Sequence, residues 1–249
     1  MKCLIGVNPV TVSPAAREKA ERLSAELAKR GVAASVKGTC DLPVGFKDST
    51  AHVENAAGYD FCIYLDKDKY IDEVLALTMP VFNSPEATTW CDDKSITYLR
   101  SLGIGVKTPI TIPAPLCYAD EPPVAETEKF LRFVERTLGY PLVCKEAYGS
   151  LGKQVYLIRN PAELRAKYAE LVKTTHLYQQ YIGADVHEGE DYRVITIGGR
   201  FVTAMKRVNS GDFRSNIGAG GKGYPVPDLP ASFREAAELI SAKLGLDYA

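Results

Sequence analysis

The 249-residue sequence lacks any apolar run near the length of a membrane span. It also lacks a charge excess of either sign. Lys and Arg number 30 against 31 Asp and Glu, a formal net charge of -1, which argues against a nucleic-acid partner held by a basic field. Histidine is scarce. His52, His176 and His187 share no metal-ligand spacing, and each reads as a surface residue. The six cysteines (Cys3, Cys40, Cys62, Cys91, Cys117, Cys144) form no C-x-x-C pair. They sit singly, mostly in apolar segments, as reduced core thiols of a cytoplasmic protein do. No side-chain pair has the look of a nucleophile with its base, so acyl-enzyme chemistry is not expected. Internal repeats and low-complexity stretches are absent.

Two phosphate motifs are also missing. A P-loop needs Gly-Lys-Ser/Thr opening a helix, but Gly152-Lys153 is followed by Gln154 and a strand. Gly218-Ala219-Gly220-Gly221-Lys222-Gly223 has the glycines of a dinucleotide loop but runs into Tyr224-Pro225, not a helix. The run Lys2–Val7 stops at Asn8-Pro9 without a cleavage-like site, so it reads as a first buried strand rather than a signal peptide.

What is present is an ordinary apolar fraction, 46%, in a chain long enough for one large domain or about two to three small ones. The first third alternates strand and helix. Strands are expected at Lys2–Val7, Val32–Val36, Asp60–Leu65 and Pro80–Phe82. Helices are expected at Ala15–Arg30, started by Ser13-Pro14 and ended by Gly31, and at Tyr70–Leu77. This is the pattern of an open parallel α/β unit. One helix is predicted from Asp92 to Leu102. Further on, helices are predicted at Glu126–Leu138, Pro161–Val172 and Ala231–Leu244, and strands at Pro141–Lys145, Gln154–Ile158 and Leu177–Ile182. Tyr192–Ile197 and Arg200–Arg207 form a hairpin across Gly198-Gly199.

The chemistry-bearing residues follow that order. Asp92-Asp93-Lys94 opens a helix, and Lys94 is within reach of a phosphate there. Lys145 ends an apolar strand, where an ammonium must find water or an anion. Gly149-Ser150-Leu151-Gly152 is a turn able to wrap phosphates with backbone N–H groups. Gln179-Gln180-Tyr181-Ile182 reads as an alternating strand edge suited to an adenine. Asp191 and Arg193 share one strand face, and Lys206 and Arg207 end the hairpin. The run Gly211-Asp212-Phe213-Arg214-Ser215-Asn216, with Gly220 and Gly221, carries an acid able to orient a guanidinium beside several donors, and the stretch from Gly218 to Gly223 reads as flexible backbone. Each of these also has an ordinary surface explanation, and their order along the chain gives them weight together.

That ordered set resembles the RimK-like branch of the ATP-grasp ligases over essentially the whole chain. The resemblance implies an α/β (α+β) ATP-grasp fold. It divides into a pre-ATP-grasp parallel α/β domain (1–90), a central lid subdomain (91–182) and a C-terminal subdomain (183–249). It implies ATP-dependent joining of a small-molecule or peptide carboxylate to an amine through an acyl phosphate. By the same likeness Lys94 and Lys145 hold phosphates under a flap at Gly149, Ser150 and Gly152. Gln179, Gln180, Tyr181 and Ile182 take the adenine, and Asp191 takes the ribose. Arg193, Arg207 and Arg214 stabilise the acyl phosphate, with Ser215 and Asn216 beside them. ATP and Mg2+ (or Mn2+) are the implied cofactors. Relatives continue into a Gly-x-Asp strand and a Glu-x-Asn motif that supply the metal ligands. None is therefore expected before Ala249, the C-terminal subdomain is expected to be incomplete, and its sheet is expected to have a bare edge. Two substitutions stand out against the family: Gln180, where many relatives carry Glu, and Lys153 in the flap. A non-catalytic ATP-binding protein or an inactive fragment is the alternative. No nucleic-acid or membrane partner is expected, and self-association is left open.

Overall fold

The computed structural model describes residues 1–10, 14–183 and 188–249, so Ser13 and His187 lie outside the described residues. Two compact units are present: Met1–Thr89 with Gly245–Tyr248, and Trp90–Leu244 with Ala249.

The first unit begins with β1 (Lys2–Val7), α1 (Pro14–Ala28) and β2 (Ala33–Gly38). A hairpin of β3 (Val44–Lys47) and β4 (Thr50–Val53) follows, then β5 (Phe61–Tyr64), α2 (Lys69–Ala76) and β6 (Val81–Phe82). The order β2-β1-β5-β6 is parallel throughout, as the alternation of strands and helices predicts. Cys3, Ile5 and Val7 face the α1 side with Ala20, while Leu4 packs with Cys62, Tyr64, Ile71 and Leu75 on the other. β1 is thus buried on both faces, which explains its unbroken apolar run. Asp68 caps α2 by accepting from the Tyr70 and Ile71 N–H groups at 3.2 and 3.4 Å. The β3–β4 hairpin is unforeseen. Its turn uses Asp48 and Ser49 at φ +50° and +61°, where the usual signal is glycine. Asn83 ties residues 247–248 to this unit: its Oδ1 accepts from the Asp247 and Tyr248 N–H groups at 2.7 and 3.0 Å.

The helix predicted at Asp92–Leu102 is two helices, α3 (Pro85–Asp92) and α4 (Lys94–Arg100). Asp93 is extended between them (φ -92°, ψ 114°), and its carboxylate accepts from Ser95 and Ile96 N–H at 2.8 and 3.0 Å. An aspartate offering its own acceptor to the chain restarts the helix rather than continuing it.

The second unit continues with β7 (Thr111–Pro113), α5 (Val124–Leu138), β8 (Leu142–Glu146), β9 (Val155–Ile158), α6 (Pro161–Leu171) and β10 (His176–Gln180). These strands form a sheet in the order β7-β10-β8-β9, covered on one face by α5 and α6. Leu131 and Val134 of α5 and Leu164, Tyr168 and Leu171 of α6 pack on Leu142, Cys144, Ile158 and Tyr178. The alternation of a strand then sends Val143, Lys145 and Gln179 to the opposite face. β10 is an inner strand with four buried residues, not the alternating edge expected, and Tyr181 and Ile182 follow it. His176 is not at the surface. It is 1% exposed, packed edge-on to Tyr168 and Tyr178, with Nδ1 2.7 Å from the Thr174 carbonyl.

A second sheet, β11 (Gly189–Ile197), β12 (Arg200–Asn209) and β13 (Lys222–Pro225), lies beyond residue 188, and α7 (Ala231–Leu244) packs against β11 and β12. The stretch from Gly218 to Gly223, expected to be flexible backbone, runs from a 3-10 turn at Ile217–Ala219 into β13. β11 is an outer strand of this sheet, and Thr196 exchanges two backbone hydrogen bonds with Ala249, at 2.8 and 3.0 Å. Among the described residues, no helix is long and apolar enough to cross a membrane.

Candidate functional site

The polar face of the β7-β10-β8-β9 sheet, the glycine turn after β8, the start of α4 and the loop after β12 enclose a cleft of about 560 Å³. That lies within the ~300–1,000 Å³ usual for small-molecule sites. Lys94, Lys145, Gly149, Ser150, Gly152, Gln179, Gln180, Tyr181, Ile182, Asp191, Arg214, Ser215 and Asn216 all line it, drawn from segments up to about 120 residues apart. Arg193 and Arg207 do not line it. Arg193 is exposed on β11, and Arg207 is 9% exposed behind Asp191.

The two lysines converge from different elements. Lys94 is the first residue of α4, and its Nζ donates to the carbonyls of Ala147 and Gly149 at 3.2 and 3.1 Å. The Lys145 Nζ donates to Gln179 Oε1 at 2.6 Å. Burial, and then the charge of Lys94, pull the Lys145 ammonium below the usual lysine pKa. The like charge of Lys94 thus adds to the cost of keeping Lys145 charged, and an anion beside Lys145 would offset that cost.

The turn after β8 has Gly149, Leu151 and Gly152 at φ +130°, +62° and +77°. Its glycines are sterically required. A Cβ on Gly149 would lie 2.5 Å from Gln154 Oε1, and one on Gly152 would lie 2.6 Å from Asn216 Oδ1. The Gln154 Oε1 itself is buried without a hydrogen-bond partner among the described residues.

The loop after β12 is held from several sides. Asn209, 7% exposed, donates through Nδ2 to the Arg214 and Ala219 carbonyls at 2.9 and 3.0 Å, and its Oδ1 accepts from Gly211 N–H at 3.1 Å. Gly189 and Gly221 let neighbouring backbone approach. A Cβ at Gly221 would lie 2.2 Å from the Ser215 carbonyl oxygen. Asp212 grips Arg214 through Nε at 2.9 Å and Nη2 at 2.6 Å, and Arg214 Nη1 reaches the Gly152 carbonyl at 3.0 Å. The Arg214 guanidinium holds the Asp212 carboxyl below its ordinary pKa.

Asp191 takes two hydrogen bonds from Arg207, Nε–Oδ1 at 2.7 Å and Nη2–Oδ2 at 2.5 Å. Burial alone would raise this carboxyl. Hydrogen bonds from Arg207 and Ser215, with the charges of Arg207 and Arg193, outweigh it and leave the acid below its ordinary value. A carboxylate has about four lone-pair sites, so these three hydrogen bonds leave about one acceptor site on a side chain that lines the cleft.

Tyr98, Pro109, Val143, Val155, Glu190 and Phe213 also line the cleft and were not foreseen. Only the alternation of β8 gave any hint of Val143. Asn209 and Thr111, which support the site from behind, carried no sequence signal beyond an Asn before a Ser-Gly turn.

The residues suit a nucleoside triphosphate: apolar side chains for a base, two converging lysines, a glycine cradle that a Cβ would fill, and an orphaned amide oxygen. They do not offer a metal cage. Among the described residues, no group of three or more His, Cys, Asp or Glu side chains is placed to hold an ion.

The whole chain overlays on 79% of the D-alanine–D-alanine ligase of Bacillus anthracis complexed with ATP, with a TM-score of 0.70 and 18% identity, a likeness of fold. Human N-acetylaspartylglutamate synthase A is 30% identical over 171 residues, 67% of this chain and 40% of that protein. Human beta-citrylglutamate synthase B is 31% identical over 172 residues, 67% of this chain and 41% of that one. The chain thus spans about two fifths of the length of these two relatives. The model of the RimK-like ATP-grasp domain matches residues 97–249, which takes in the glycine turn, Lys145, the strand at Gln179 and the loop around Arg214. By that match, and with the fold to which it corresponds, the chain belongs to the RimK-like ATP-grasp family.

Proposed function

We propose that the cleft binds ATP and serves an ATP-dependent carboxylate–amine ligase that works through an acyl phosphate. The observation that carries this reading is the convergence of Lys94, Lys145 and the glycine turn on a loop already organised by Asp212 and Asn209. A carboxylate oxygen attacks the γ-phosphorus and ADP leaves. The amine then attacks the acyl carbon, phosphate departs, and the nitrogen loses a proton. Little of this is covalent work for the protein. Its part is to hold charge where charge develops.

In this reading Lys94 and Lys145 take phosphate oxygens and the turn at 149–152 covers them. The segment 179–182 borders the base, and Asp191 offers its remaining lone pair to a ribose hydroxyl. Arg214, with Ser215 and Asn216, faces the transferring phosphoryl group. Arg207 acts through Asp191, and Arg193 adds its charge from the strand surface. ATP-grasp ligases use ATP with divalent metals. Two similar proteins are named for products that contain glutamate, which makes glutamate the first amine to test.

The test incubates the 249-residue chain with ATP, Mg2+ or Mn2+, glutamate and a panel of N-acyl amino acids and polycarboxylic acids, and measures ADP release. Release that depends on both an acid and an amine supports the ligase. ATP binding by calorimetry without release from any pair favours a non-catalytic ATP-binding protein. No ATP binding sinks both.

A further inference from the structure

Behind the cleft runs a directional chain of hydrogen bonds. The Thr111 hydroxyl donates to the Pro109 carbonyl at 2.9 Å. With its one proton committed, the Thr111 oxygen is left as an acceptor, and Gln179 Nε2 donates to it at 2.8 Å. The amide is thereby fixed with its oxygen toward Lys145, whose Nζ donates to it at 2.6 Å. Gln179 is 3% exposed, so neither end of the amide has water to fall back on.

The acceptor that holds Lys145 is neutral. A carboxylate in its place would cancel the ammonium charge and satisfy it before any ligand arrived. The charged neighbour of Lys145 on α4 is Lys94, which repels it, and across the cleft Asp191 and Arg214 are each held by an opposite charge. Lys145 is thus aimed but not neutralised.

We propose that Thr111 and Gln179 are positioning residues that hold the Lys145 ammonium in place while leaving its charge available to a phosphate oxygen. The identity of that anion rests on the nucleotide reading of the cleft; the relay itself does not. An amide oxygen that accepts from an ammonium favours its charged form, so removing the acceptor lowers the Lys145 pKa and installing a carboxylate raises it.

The experiment uses the full chain with Thr111→Val, Thr111→Ser, Gln179→Leu and Gln179→Glu. Two quantities are read. One is the Lys145 pKa in the ligand-free protein, from the ¹³Cε resonance of labelled lysine assigned with Lys145→Arg. The other is the calorimetric Kd for ATP. Thr111→Val and Gln179→Leu are expected to lower the pKa and weaken ATP binding at least tenfold, while Thr111→Ser stays near wild type. Gln179→Glu is expected to raise the pKa and yet weaken binding at least tenfold. That opposite pairing is one that general damage to the fold does not produce. Thr111→Val removes only a hydroxyl and keeps the test decisive if Gln179→Leu fails to fold. An unmoved Lys145 pKa in Thr111→Val, or Gln179→Glu binding ATP as tightly as wild type, overturns the proposal. A wild-type chain that binds no ATP while the pKa values move as stated overturns the nucleotide reading and still bears out the relay.

Discussion

Asp212 and Arg214, two residues apart, form a closed pair in which the carboxylate accepts from the Arg214 backbone N–H at 2.8 Å as well as from its guanidinium. The pair fixes both the loop and the direction of the side chain, and the remaining Nη1 is spent on the Gly152 carbonyl across the cleft. Arg214 therefore fastens the glycine turn as well as lining the cleft. Asp212→Asn keeps the shape and removes the charge. A hydrogen bond to a charged group is worth roughly 1.5–3 kcal/mol. On the proposed ATP site the expected loss of affinity is about tenfold or more, measured by calorimetry. Unchanged affinity would show that Arg214 holds its position without Asp212.

Gly152→Ala tests the same junction from the other side. The new methyl would lie 2.6 Å from Asn216 Oδ1 at a backbone φ of +77°. Both the strain and the contact push the turn away from the loop. The core of Leu131, Leu142, Leu164 and Tyr178 is built from other elements, so the melting temperature should move by no more than a few degrees. ATP affinity should fall about tenfold or more. A large drop in melting temperature with affinity intact would mean that the turn supports the fold rather than the site.

Arg207 and Asp191 lie opposite each other on β12 and β11 and are joined twice. Arg207→Met leaves the acid with Ser215 alone and with an apolar stem where its partner was. The loss is expected at the low end of roughly 1.5–3 kcal/mol, because the Asp191 side chain is 39% exposed and water can replace part of the bond. Arg207→Lys, a single point charge, should restore part of it. Urea melts of the three proteins give the stability order. If Arg207→Met retains wild-type ATP affinity, Arg207 has no part in placing Asp191.

The regular elements were legible wherever one period ruled. The runs at β1 and β8 and the apolar stripe of α5 announced their partners, because each buries a whole face or stripe. What escaped needed a local exception. Asp48 and Ser49 make a turn without glycine, Asp93 interrupts a helix by capping the next one, and His176 is buried with its ring nitrogens satisfied. The site divides in the same way. The loop at 211–216 and the turn at 149–152 were visible because their composition is local. Thr111 was not, because its partner Gln179 is 68 residues away, and nothing about a lone threonine after Pro109-Ile110 indicates that contact.

Asp72 carries a pH-dependent cost within the first unit. It is fully buried on α2, near Tyr64, Cys62 and Tyr248, and neither carboxylate oxygen has a partner in hydrogen-bond geometry among the described residues. Burial pushes its pKa to about 7. The nearby Thr88 side chain opposes this rise, and the charges of Asp68, Glu73 and Asp66 add to it. The native acid therefore keeps its proton at a pH where the unfolded chain, near the ordinary value of about 3.9, has lost it. Between roughly pH 4 and pH 7 the folded state binds more protons, so stability falls as pH rises through that window and levels off above it. A shift of about three units corresponds to at most roughly 4 kcal/mol, an upper bound because a buried ion relaxes and draws in water. Buried neutral His176, its pKa lowered first by burial, has the opposite slope, so the wild-type curve alone is ambiguous. Asp72→Asn removes one contribution and leaves the other. The wild type should lose stability relative to Asp72→Asn between pH 5 and pH 7.5, read as the difference in urea midpoints at each pH. Parallel curves for the two proteins would mean that Asp72 is ionised in the folded state across that range.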